Sequence, residues 1–202
     1  MAKTNLKSSY HHGNLHQVLL DTATDIIRTE GIENLSLRKL ADKSGVSRTA
    51  PYHHFKNKNA LLCAIAEEIF RLRLDHLESN FNDESRPLYE RLRWFMHDYL
   101  KFAGDEPEIY ELIFGPLIWK QKLSTEELQS SSYECFQFQV HIIKTAQEAG
   151  LLKLDENVLR ATEVIWATLH GIAKLQIDGI YIHASQVEEM CDCAINIFFN
   201  KP

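Results

Sequence analysis

Apolar residues recur at helical spacing along almost the whole chain. Leu15, Val18, Leu19, Ala23, Ile26 and Ile27 fall at i, i+3, i+4, i+8, i+11 and i+12, one stripe of an amphipathic helix. Asn14 can cap its start, and Gly31 follows its last turn as a left-handed residue would. Ser36 caps a short second helix bearing Leu37, Leu40 and Ala41; Gly45 breaks it, and Ser47 caps a third. Asn57 caps a fourth, which begins at Lys58 and runs through Leu61, Leu62, Ile65 and Ile69 to about Ser79. Further helical segments are predicted at about 85–103, 106–114, 124–149, 156–179 and 184–200, broken at Pro87, Pro107, Gly115-Pro116, Gly150 and Gly179. The strand-like string Gly179-Ile180-Tyr181-Ile182 is too short to outweigh this. The pattern predicts an all-α protein of about nine helices. A three-helix head with a helix-turn-helix, residues 1–57, is joined by a long helix to a C-terminal helical bundle, residues 58–202.

Composition bounds this picture without changing it. A chain of 202 residues, 45% hydrophobic and 25% charged, is ordinary for a soluble globular protein. No apolar run approaches the ~20 residues that span a bilayer. The start, MAKTNLKSSYHHGN, lacks the apolar stretch of a signal peptide, so a cytoplasmic location is expected.

Charge does change it. The net −6 argues against a nucleic-acid partner, but its distribution reverses the argument. Residues 1–60 hold nine Lys or Arg against five Asp or Glu, +4, with five histidines; residues 61–202 hold thirteen against twenty-three, −10. A basic N-terminal third on an acidic body suits a DNA reader fused to a domain with another task.

The segment LSLRKLADKSGVSRTAPYHHF, Leu35 to Phe55, carries the chemistry. Leu37, Leu40, Ala41, Val46 and Phe55 are spaced to pack two short helices against the first, and Gly45 sits where the turn needs positive φ. The third helix then presents Arg48, Thr49, Tyr52 and His53 on one outward face, groups suited to base edges and phosphates. Its N-terminus at Ser47 adds a positive dipole end. The N-terminal arm, with Lys3, Lys7, His11 and His12, offers either a further DNA contact or a disordered tail.

Gly45-Val46-Ser47, Tyr52-His53-His54-Phe55 and Lys58 stand at the offsets of the signature of the TetR family, and Leu37-Arg38-Lys39-Leu40-Ala41 is similar to its first helix-turn-helix element. The resemblance covers about residues 12–62. It implies phosphate contacts from Tyr52, His54 and Lys58, and base contacts from Arg38, Arg48, Thr49 and His53. For His54 a packing role, and for Arg38 a solvated surface charge, stay open beside these. Pro51 departs from the commoner aliphatic residue. With Ser47 as cap it would be the fourth helical residue, deleting a hydrogen bond and disfavouring α geometry at Ala50, so a tighter or later helix start is expected.

In the body, Trp166, His170 and Gly171 resemble the W-x-x-x-H-G string of one TetR subgroup, which also favours a start such as Tyr10-His11-His12-Gly13-Asn14. The family resemblance implies that a small effector binds between the bundle helices and releases DNA. The candidate lining is Trp94, Phe102, Tyr110, Phe114, Phe136, Trp166 and His170, each with plain core as the alternative. It implies further that the last two helices build a four-helix bundle across a two-fold axis. Val187, Met190, Cys191, Ala194, Ile195 and Phe198 form one apolar stripe, and Val158, Leu159, Thr162, Ile165, Leu169 and Ile172 the other. The alternative is that both stripes are consumed by the core of a single protomer. A homodimer implies a palindromic double-stranded DNA operator.

Nothing in the chain reads as an enzyme. No G-x-G-x-x-G, Walker loop, G-x-S-x-G or H-E-x-x-H occurs, and no cofactor or metal site is expected. His11-His12 and His53-His54 are adjacent rather than i, i+4 pairs. The C-x-C of Cys191 and Cys193 reads as one packed and one exposed thiol, without the second ligand pair of structural zinc. The expected function is a DNA-binding transcriptional regulator, a repressor responsive to a small effector. The alternative is a helical adaptor or ligand-binding protein that has lost operator binding.

Overall fold

The computed structural model describes residues 15–120, 123–153, 157–180 and 184–202. Asn14, the N-terminal arm and the Tyr10–Asn14 string lie outside the described residues. Among those described the protein is all-α. The helices are α1 (Leu15–Glu30), α2 (Leu37–Ser44), α3 (Ala50–His54), α4 (Lys58–Phe81), α5 (Leu88–Asp105), α6 (Pro107–Phe114), the single turn α7 (Pro116–Trp119), α8 (Glu126–Glu148), α9 (Val158–Ile177) and α10 (Ala184–Phe198). A 3-10 turn, η1 (Ile32–Asn34), follows α1, and an isolated bridge pairs Leu152 with Phe199. No helix among the described residues is long and apolar enough to cross a membrane.

The expected signals place most of the ends. Ser36 accepts the Lys39 amide at 3.2 Å, and Asn57 accepts the Ala60 amide at 2.9 Å, opening α2 and α4. Pro107 takes the first position of α6, where its missing N–H costs nothing. Gly45 closes α2 in the left-handed region at φ +68°, so the Val46 amide reaches back to the Ala41 carbonyl at 3.1 Å. Gly31 has positive φ, +83°, but its ψ of 157° is extended rather than left-handed helical.

Leu19, Ala23, Ile26 and Ile27 of α1 pack into a core that continues through Leu40, Phe55 and Leu61 into the body. Within the body α4 lies along α8, α9 lies against α5 and α8, and α10 covers α5 and α9. α6 touches α1 as well as α4 and α5, so the head rests on the body through α4 and α6. The Arg28 guanidinium crosses this seam to the Glu106 carboxylate at 2.8 Å.

The two stripes offered above for dimerisation are corrected by this packing. Val187, Cys191, Ala194, Ile195 and Phe198 are buried in the protomer, as are Thr162, Ile165, Leu169 and Ile172. The residues left outside are different ones: Val164 and Leu175 on α9 and Ile197 on α10, at 52%, 38% and 60% exposure, with Ala167 and Gly171 also exposed between the α9 pair. Leu159 is exposed as well, while Cys191 is buried and Cys193 exposed.

Candidate functional site

The recognition segment starts later than Ser47. Residues 47–49 form a turn, the Ala50 amide donating to the Ser47 carbonyl at 3.0 Å, and the helix runs only from Ala50 to His54 with Thr49 as its cap. Ser47 Oγ lies 3.1 Å from Thr49 Oγ1 instead of capping the helix. The cause is Pro51. A proline is harmless only where its N–H would be unpaired anyway, and the late start puts it within the first turn. Its ring is buried, and the helix closes with the Phe55 amide on the Pro51 carbonyl at 2.8 Å.

Around this short helix Arg38, Ser47, Arg48, Thr49, Tyr52, His53 and His54 are all exposed, Tyr52 at 56%. Their environments differ. Arg48 lies 3.7 Å from Asp42, while Lys39 and Lys43 converge on Glu30, whose carboxyl their hydrogen bonds hold below its usual range. The His54 ring stands edge-on to His16 at 5.8 Å, beside buried Phe55, so it packs as well as facing outward. Lys58 is turned inward, donating to the Ile32 carbonyl at 2.7 Å. Arg38 and Lys56 are exposed and have no ion pair among the described residues. Lys56 was not anticipated, because it falls at a variable place between Phe55 and Lys58. Its only signal is the adjacency of two lysines to the end of α3.

A second feature lies in the body. A cavity of about 950 Å³ opens between α4, α6, α7, α8 and α9. Phe114, Phe136, Trp166 and His170 line it, as do Phe70, Trp119 and Tyr133. Gly115 is required at its edge: a Cβ there would lie 2.2 Å from the Glu111 carbonyl oxygen. Three of the candidate lining residues stand elsewhere. Trp94 packs against His76 at 5.4 Å and under the Arg86 guanidinium. Phe102 lies beneath Arg73, 4.5 Å from ring centre to guanidinium carbon, beside a separate void of about 20 Å³. Tyr110 is wholly buried behind the wall, bordering a side pocket of about 210 Å³.

The polar groups of the cavity are few. The Gln139 side chain, on a residue 7% exposed, makes no hydrogen bond among the described residues, and Ser132, Gln129, Glu163 and Lys120 also line the cavity. Glu163 is held by Arg160. Behind the wall Trp166 Nε1 donates to the Tyr99 hydroxyl at 3.0 Å, Tyr99 and Tyr110 hydroxyls are 2.9 Å apart, and the Tyr110 hydroxyl is 2.6 Å from His170 Nδ1. Burial, and then Lys174, lowers the His170 pKa from its ordinary value, and burial pushes the Cys135 thiol in the wall up to about 11. Among the described residues no three His, Cys, Asp or Glu are grouped to hold a metal ion.

Comparison with known proteins matches both halves of this architecture. Residues 19–65 match the profile "Bacterial regulatory proteins, tetR family", and residues 92–198 match "Tetracyclin repressor-like, C-terminal domain". An uncharacterized HTH-type transcriptional regulator of Haemophilus influenzae is 31% identical over 68% of this chain and 72% of its own. The class C tetracycline repressor of Escherichia coli is 37% identical over 35% of this chain and 32% of its own. A solved structure of a protein of unknown function from Rhodococcus sp. RHA1 superposes with a TM-score of 0.81 at 31% identity, covering 95% of this chain and 96% of that one. The chain therefore belongs to the TetR family, transcription regulators rather than enzymes, and its head is the family's DNA-binding helix-turn-helix.

Proposed function

We propose that the protein is a repressor that binds a palindromic operator as a homodimer and leaves it when a small molecule enters the cavity. Residues 1–57 read DNA, and residues 58–202 bind the effector and the second protomer. Arg48, Thr49, Tyr52 and His53 face base edges and phosphates from α3 and the turn before it. Arg38 joins them from α2; Ser47, His54 and Lys56 meet the flanking backbone, and Lys58 exchanges the Ile32 carbonyl for a phosphate on docking.

The observation that carries the effector reading is that the cavity and the head share supports. Phe70 of α4 and Phe114 of α6 line the cavity, while α4 and α6 both touch α1 of the head. A molecule that presses on these two helices favours one head position over another, and only that difference in affinity can release DNA. A coupling of about 1–3 kcal/mol is typical for such a switch. Trp94 and Phe102 are left out of the effector site; Tyr110 acts from behind it.

The partner protomer is placed on the outer stripe of α9 and α10, around Val164, Ala167, Gly171, Leu175 and Ile197. Two heads then span half-sites about one helical turn apart. Selection of duplexes from a random pool by the full chain tests the reading. Recovery of an inverted repeat supports it. Enrichment of an unpaired site would overturn the dimeric mode, and no enrichment would favour the adaptor alternative.

A further inference from the structure

The hydrogen-bonded series behind the cavity wall has a fixed direction. An indole N–H only donates, so Trp166 gives its proton to the Tyr99 oxygen. Tyr99 is 4% exposed, and among the described residues its hydroxyl has one remaining hydrogen-bond partner, the Tyr110 hydroxyl. If Tyr99 did not donate to Tyr110, its hydrogen would be a buried donor with no acceptor, a costly arrangement. Tyr110 thus accepts from Tyr99 and sends its own hydrogen to His170 Nδ1. Burial raises the pKa of both phenols, Tyr99 to about 12, so neither gives up its proton near neutrality.

The series ends on a ring nitrogen that must accept. A neutral imidazole whose Nδ1 accepts carries its hydrogen on Nε2. His170 lines the cavity, and its Nε2 has no hydrogen-bond partner among the described residues and is not sealed in the protein.

We propose that His170 Nε2–H is the polar anchor of the cavity, and that the effector is a neutral planar aromatic molecule presenting a carbonyl-type acceptor to it. This rests on the reading of the cavity as the effector site. The aromatic walls, Phe114, Phe136, Trp119, Tyr133 and Trp166, supply faces for a flat ring system. The charges leave no net preference for an ion. The lining carries one charge of each sign, Lys120 and Glu163, and in the side pocket Lys174 is held by Glu111 and Asp178. Gln139, nearly buried at the cavity, is a second group able to meet the same ligand.

Three naphthalene probes test this by calorimetry on the full chain: acetylnaphthalene with an acceptor, ethylnaphthalene of like shape without one, and naphthylmethyl-trimethylammonium with a cation. The acetyl probe is expected to bind about three- to tenfold tighter than the ethyl probe, the range of one net hydrogen bond. His170→Phe should erase that preference while both neutral probes still bind, and His170→Gln, which keeps a donor, should retain part of it. Nitrogen NMR of histidine-labelled wild-type protein, which needs neither ligand nor variant, should show an unprotonated Nδ1 for the ring assigned to His170. Equal binding of the two neutral probes, tightest binding of the cation, or a protonated Nδ1 would overturn the inference with the cavity reading intact. Binding of none of the three would overturn the cavity reading and the inference with it.

Discussion

Replacing Gly171 by leucine separates the stability of the protomer from that of the dimer. Gly171 is exposed in the interior of α9, and a Cβ built on it meets nothing within 4 Å. In an isolated protomer the substitution relieves the conformational freedom of a helical glycine and should stabilise by about 0.5–1 kcal/mol. In the proposed dimer the same position lies between Val164 and Leu175, where a second α9 approaches, and its small size permits a close backbone approach. Overpacking such a contact costs about 1–3 kcal/mol per site. A two-fold axis doubles it, so the dimer should weaken by about 2–6 kcal/mol, roughly thirtyfold or more in dissociation constant. Sedimentation velocity over a dilution series reads the association, and thermal unfolding at one fixed protomer concentration reads the fold. A variant that dissociates while its monomer is as stable as wild type or more so is the expected result. An undisturbed dimer would move the interface off this face, and a wild-type chain that is monomeric at micromolar concentration would remove it.

The remaining predictions concern the buried series and the head. Tyr110→Phe leaves His170 Nδ1 without a donor and the Tyr99 hydroxyl hydrogen without an acceptor, which should cost about 3 kcal/mol, or roughly 6–12 °C in Tm at constant protomer concentration. Combined with Tyr99→Phe it should cost about 1 kcal/mol less than the sum of the two single changes, and strict additivity would show that the hydroxyls do not interact. Because burial holds the folded His170 pKa below the free value of about 6.5, the unfolded chain binds more protons between those two values. Stability from this group is therefore present above about pH 6.5 and lost as the pH falls toward the folded value. Calorimetry at pH 7 and pH 5 should find a smaller loss in His170→Phe than in wild type, and equal losses would contradict the assignment. Tyr52→Phe removes an exposed hydroxyl from each protomer and should weaken dimer binding to every duplex by about five- to 150-fold, leaving folding stability within about 0.5 kcal/mol. A loss confined to one operator base would make Tyr52 a base reader.

The sequence shows the helices well because their ends carry their own signals, as at Ser36, Gly45 and Asn57. It shows less well what covers a stripe. Val187, Cys191, Ala194, Ile195 and Phe198 are apolar at helical spacing, yet periodicity cannot say whether the covering helix belongs to the same protomer. The outer stripe is diluted by Ala167 and Gly171 and so has a weaker pattern. The same limit explains the cavity. Trp94 and Phe102 look as eligible as Phe136 and Trp166, and only the packing of α4 against α5 takes them out of it. Gln139 had a usable signal: it lies at i+4 from Cys135 and i−3 from Ile142, a lone amide on a buried face of α8. The displaced start of α3 was legible in Pro51, once Ser47 is not assumed to be the cap. The inward turn of Lys58 was not, since the Ile32 carbonyl is distant in sequence.

The central claim, that two protomers each set a head on one duplex, is tested most directly by the salt dependence of operator binding in wild type and Lys56→Ala. Lys56 is exposed and unpaired among the described residues, so in a two-headed complex it neutralises one phosphate per protomer. Fluorescence anisotropy of a selected duplex should give a linear fall of log K with log salt. The variant's slope should be shallower by about 1.8, twice the roughly 0.9 released per phosphate. A change near half that value would mean one head on the DNA. An unchanged slope, or wild-type binding indifferent to salt, would contradict the account.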